Sequence, residues 1–147
     1  MDRPRFVYVT YIQSTAEKVF EAIRDPKMTR AYWHHDNVSD WKPGSKWEHR
    51  SADDERKLKL VGKVVEVDPP RKLVITWAFP ADEKNAAKHS RVTFDIEPVR
   101  GVVKLTITHA DLEAGSEMLD GITRGWPIVL SSLKTYLETG RALPKLW

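Results

Sequence analysis

No cysteine occurs in the 147 residues, which excludes disulfides, thiolate metal sites and thiol nucleophiles from the start. No apolar run approaches the roughly 18 residues that a membrane-spanning helix needs. The charged opening Met1-Asp2-Arg3-Pro4-Arg5 is not followed by the apolar stretch of a secretory signal. Charge of one sign is also missing: 24 basic and 21 acidic residues are interleaved for a net charge of +3, without the basic stripe that nucleic-acid binding uses. There is no internal repeat and no low-complexity segment. Together these absences predict a soluble, cytoplasmic, unprocessed chain with no membrane span and no nucleic-acid partner.

What is present is apolar and aromatic. The hydrophobic fraction is 41%, with six Trp, as expected of a folded protein and not of a disordered one. A chain of this length is expected to form one domain over residues 1–147, with its core at 5–140, burying about 68–70% of its unfolded surface.

The strongest periodic signal is the last apolar stretch. Trp126, Val129, Leu130, Leu133 and Leu137 fall at steps of three and four and form one face of a helix stopped by Gly140. Pro127 fits the first turn of a helix that starts there. If the helix starts near Ser116 and takes in Met118, Leu119 and Ile122, Pro127 is interior and kinks it. Sequence alone leaves both open. Either helix needs a broad apolar partner, and upstream only a sheet offers one.

In order, Arg5–Ile12 is β-branched and aromatic and reads as a strand with both faces at least partly covered. Ser14-Thr15-Ala16-Glu17 matches a capping box with Ser14 as N-cap, followed by Val19, Phe20 and Ile23 on one helical face. Asp25-Pro26 ends that helix and opens a second, through Met28 to about Trp33. Strand signals follow: Asn37–Asp40 weakly, Ser45–Arg50 after a Pro43-Gly44 turn, and Lys57–Val67, where Gly62 suggests a bulge. Beyond Asp68–Arg71, Leu73, Ile75, Trp77 and Phe79 share a face. After a polar loop at Ala81–Ala87, Val92, Phe94 and Ile96 share another, and Val103, Leu105, Ile107 and His109 a third. The fold class is α+β: a curved antiparallel sheet of about six to seven strands around a long C-terminal helix, with two short helices after strand one.

Several of these features carry a resemblance. They are the element order, Asp25-Pro26, Trp33, the Pro43-Gly44 turn, Gly62–Pro70, the Trp77 strand, Leu105–His109 and the Gly125-Trp126 to Leu137-Glu138 helix. In these the chain resembles the Aha-type family, homologues of the activator of a heat-shock chaperone ATPase, over residues 5–140. That family belongs to the START-related helix-grip (SRPBCC, Bet v-like) superfamily. The resemblance implies an elongated cavity between sheet and helix, and a stress-response setting. It supplies no catalytic motif, because the superfamily spans carriers, receptors, cyclases and chaperone co-factors.

The residues point the same way. Trp33, Trp47, Trp77, Phe79, Phe94, Trp126 and Leu130 supply inward apolar bulk, and His49 and His109 add two polar groups. An apolar hollow with a few convergent polar groups is the usual form of a small-molecule site, although Trp and Phe at strand period also build ordinary core. No catalytic residue is assigned, His49 or His109 being the first suspects for a base. His34-His35-Asp36 lacks a third ligand at a useful spacing, so no metal and no cofactor are expected. The favoured function is binding of a hydrophobic or aromatic small molecule. A chaperone-modulating interaction module, with possible self-association, and a cyclase- or dehydratase-like enzyme using a cavity histidine are the alternatives.

Overall fold

A computed structural model describes residues 3–146. The chain runs β1 (Phe6–Ile12), α1 (Ala16–Arg24), α2 (Pro26–Trp33), β2 (His35–Ser39), β3 (Lys46–Ser51), β4 (Leu58–Asp68), β5 (Lys72–Trp77), β6 (Ser90–Val99), β7 (Val102–Ala110) and α3 (Glu117–Thr139). The seven strands form one antiparallel sheet in the order β1-β7-β6-β5-β4-β3-β2. The α1–α2 pair carries the chain from one edge of the sheet to the other. Strands β2 to β7 then follow as successive antiparallel neighbours until β7 pairs with β1.

Alternation decides which residues face the helix. Tyr8, Ile107, Phe94 and Leu73 lie side by side across four strands. Trp47 opposes Gly62, and His49 stands between Asn37 and Leu60. The buried stripe of α3, Ile122, Trp126, Val129, Leu130 and Leu133, closes this face. Burial of such side chains is worth about 1.5–3 kcal/mol each, and it fixes the register because a slip of one residue would turn the whole row outward.

Local details differ from expectation in three places, and a fourth decides between two alternatives that the sequence left open. Thr15, not Ser14, is the N-cap of α1: its hydroxyl accepts from the Lys18 amide at 3.2 Å. Helix α3 starts after its N-cap Ser116 and contains Pro127, so the longer of the two helices is the one that forms. The outer face of β1 is open, with Val7 49%, Val9 43% and Tyr11 51% exposed, because β1 is an edge strand with no layer outside it. The register shifts on β4 fall beside His49/Arg50 and between Val64 and Glu66, not at Gly62. Gly62 serves a different purpose. A Cβ there would lie 1.9 Å from the Thr76 carbonyl oxygen and 2.3 Å from Trp47 Nε1. The missing side chain is what admits the indole, which donates to Thr76 O at 2.7 Å.

Candidate functional site

Between the sheet and α3 lies a largely apolar cavity of about 630 Å³. Trp33, at the end of α2, Trp77, at the end of β5, and Trp126 on α3 form its aromatic wall. Their ring centroids are 5.5 Å (Trp33–Trp126), 5.4 Å (Trp77–Trp126) and 6.3 Å (Trp33–Trp77) apart, within the range of favourable aromatic pairs. Phe79 and Leu60 extend this wall from the sheet side. Met118, Ile122 and Val129 face them from α3.

Two glycines share that face of α3. Gly121 and Gly125, one turn apart, both border the cavity, and a Cβ added at either would meet nothing within 4 Å. An interior helix glycine costs about 1 kcal/mol relative to alanine. Here it supports no close packing, so its effect is to leave space.

His109 holds this framework from behind. Its Nδ1 accepts from Trp126 Nε1 at 3.0 Å, and its Nε2 lies 2.7 Å from Ser90 Oγ, which itself donates to Trp77 O at 3.0 Å. The Ser90 proton is thus committed and Nε2 must donate to it. One directed chain ties α3, β7, β6 and β5 together, and both imidazole nitrogens are used. Burial pushes the His109 pKa down to about 3, so the ring is neutral.

At one end of the cavity His35 and His49 stack with centroids 4.3 Å apart and planes 13° from parallel. His35 Nδ1 lies 2.9 Å from Trp33 O, and a carbonyl only accepts, so Nδ1 carries the proton. His49 Nδ1 lies 2.5 Å from Asn37 Oδ1. Because Asn37 Nδ2 donates to Ile23 O, Oδ1 is the accepting side, and His49 Nδ1 carries the proton as well. Burial lowers the pKa of both, with each ring's positive form further disfavoured by charge nearby: His35 beside His49, and Lys145 and Lys59 beside His35. Both rings are therefore neutral, with Nε2 unprotonated and without a partner among the described residues.

The corner carrying His35 is braced by Asp36. Arg30 grips its carboxylate through Nε at 2.8 Å and Nη2 at 2.7 Å, and Arg56 reaches it from the β3–β4 loop. The Arg30 hydrogen bond is the main reason that the carboxyl is held below its usual range. Exposed Lys59, Glu117, Arg124 and Lys145 border the cavity. The tail that brings Lys145 there is fixed by Leu143, whose amide donates to Ser132 Oγ at 3.2 Å and whose carbonyl lies 3.1 Å from His34 Nε2.

Of the residues singled out by sequence, Trp33, His49, Trp77, Phe79 and Trp126 meet on the cavity wall. Trp47, Phe94, His109 and Leu130 are buried behind it. Phe94 stands edge-on to Trp126 at 5.9 Å, and Trp47 packs on Trp77 at 5.2 Å. His35 was missed, although its separation of two from Asn37 on an extended segment places both on one face. Among the described residues no group of three or more His, Asp or Glu is placed to hold a metal ion. No described helix is long and apolar enough to cross a membrane.

A curved antiparallel sheet closed by a long C-terminal helix over a cavity defines the helix-grip class of protein. Within that class the chain belongs to the family described as Activator of Hsp90 ATPase homolog 1-like protein, which matches residues 13–138. The Aha1 dimer of Colwellia psychrerythraea is similar in structure, with a TM-score of 0.78 and 19% identity, covering 95% of this chain and 99% of that one. CalU16 of Micromonospora echinospora gives a TM-score of 0.75 at 19% identity, covering 97% of this chain and 78% of that one. An HSP90 activator from Plasmodium falciparum gives 0.73 at 24%, covering 90% and 95%. At these identities the likeness is one of fold. No curated protein matches the sequence.

Proposed function

We propose that this chain is a cytoplasmic, single-domain binding module for a hydrophobic or aromatic small molecule, held between the sheet and α3. The observation that carries the reading is the cavity itself: about 630 Å³, walled by three indoles and kept open by Gly121 and Gly125. That volume lies within the roughly 300–1,000 Å³ typical of small-molecule sites. A helix selected only to pack would gain from filling both glycine positions.

Gly125→Leu tests this without depending on a weakened fold. A Cβ at this position meets nothing within 4 Å, and leucine has a better helix propensity than glycine. Binding of naphthalene derivatives, followed by calorimetry, should weaken at least about tenfold while the melting temperature holds or rises. Equal binding by the variant and the parent would count against the cavity as the site.

The family favours a second reading, a module that modulates a chaperone ATPase. Its test is stimulation of a purified Hsp90-type ATPase by the chain, and no change in turnover at saturating protein would set it aside. For a cyclase-like activity, the histidines on the cavity are His35 and His49, whose lowered pKa makes each a weak base.

A further inference from the structure

The ligand's polar group can be deduced from the open lone pairs at one end of the cavity, beside a wall whose buried atom without a partner, Trp77 Nε1, is a donor that a hydroxyl oxygen can also answer. We infer, resting on the reading of the cavity as a ligand site, that the ligand is a neutral or anionic aromatic molecule bearing a hydroxyl, which donates its proton to the unpartnered Nε2 of His35 or His49. The proton positions follow from the partners. Trp33 O and Asn37 Oδ1 can only accept, so each ring's single proton sits on Nδ1 and each Nε2 offers a lone pair. Both rings are over nine-tenths buried, at 8% and 3% exposure, and both border the cavity. Neither Nε2 is among the fully buried atoms without a partner, so each remains accessible to a donor, and a hydrogen bond formed there is worth about 0.5–1.5 kcal/mol net. The stack places two such acceptors together, one ring against the other at 4.3 Å.

What answers a lone pair is an O–H or an N–H. A carboxylate placed at this end would be repelled by both nitrogens. A charged amine would supply donors, but it would enter past Lys59, Arg124 and Lys145, three cations against the single carboxylate of Glu117. The same cations tolerate or attract negative charge elsewhere on the ligand. The aromatic body is set by the Trp33, Trp77 and Trp126 wall, against which flat rings stack. Asn37, fixed from α1 through Ile23 O and on its own amide by Thr29 Oγ1 at 3.1 Å, holds His49 in this orientation before any ligand arrives.

The probes are naphthol and its methyl ether, which share an aromatic body and differ in the one proton. Calorimetric titration of the unaltered chain should show naphthol binding about fivefold to tenfold more tightly, the net worth of one hydrogen bond. In His35→Phe or His49→Phe, which keep an aromatic ring and remove the lone pair, the preference should fall to about twofold or less for whichever ring accepts. On nitrogen-labelled protein the Nε2 resonance of that histidine should move with naphthol and stay still with the ether. That readout needs no variant and decides the matter if one of the substitutions fails to fold. Equal affinity for the two probes overturns the hydroxyl inference and leaves the cavity reading standing. Failure of both to bind overturns the two together. A naphthol preference that survives intact in both variants, with silent Nε2 resonances, places the hydroxyl elsewhere and overturns the assignment to this pair.

Discussion

Gly62 and Trp47 show how one position can depend on the absence of an atom in another. The indole occupies the place of the missing Cβ and reaches the Thr76 carbonyl. Gly62→Ala must displace either backbone or a packed indole, so a loss of about 2 kcal/mol or more is expected. Urea denaturation measures it, and a change below about 0.5 kcal/mol would mean that the strand gives way freely. The buried histidines make a second prediction at this scale. His35, His49 and His109 are all held below their ordinary value near 6.5, His109 down to about 3. The unfolded chain takes up protons on them as pH falls through about 6.5, while the folded chain does not. Their contribution to stability is therefore complete above that pH and is lost progressively below it, for His109 down to about pH 3. For His109 the slope reaches about 1.4 kcal/mol per pH unit. Urea midpoints that stay constant between about pH 7 and 5 would show that the rings titrate normally in the fold.

At the scale of elements, α3 carries most of what is specific to this chain. Pro127 sits inside it and removes the amide that would bond to Thr123 O. Pro127→Ala restores the donor but frees the unfolded chain, and a net gain of about 1–2 kcal/mol in chemical denaturation is expected. A loss would show that the backbone shape proline imposes there is needed to match the sheet. The strands were readable because each alternates cleanly, as Val92, Phe94 and Ile96 do against Arg91, Thr93 and Asp95. Strand β1 misled because Val7, Val9 and Tyr11 look like interior residues. Nothing local tells an edge strand's outer face from a covered one. The start of α3 was ambiguous because Pro127 suits two positions, and only the Ser116 cap, accepting from Leu119 N at 3.1 Å, separates them.

For the whole molecule, element order and the final amphipathic helix made the helix-grip fold legible, and the family match over 13–138 agrees. The site was legible only in part. Sequence pattern tells which residues point inward, as for Trp77 and His109, but not whether the inward space is filled. His109 is spent on Ser90 and Trp126, whereas His49, equally inward, keeps a lone pair on the cavity. That distinction depends on partners far apart in the chain, as does the arrival of Lys145 beside Lys59. The open volume rests on two glycines whose meaning appears only when the opposite wall is in place.

Binding of an aromatic molecule in this cavity is tested most directly by a two-dimensional indole NMR titration with naphthol. Trp33, Trp77 and Trp126 line the cavity, whereas Trp41 does not and serves as an internal reference. Saturable shifts of those three indole signals, with Trp41 unmoved, are the expected result. A well-dispersed spectrum in which none of the three shifts, or in which Trp41 alone responds, would contradict the binding-module reading and leave the chaperone partner as the function to pursue.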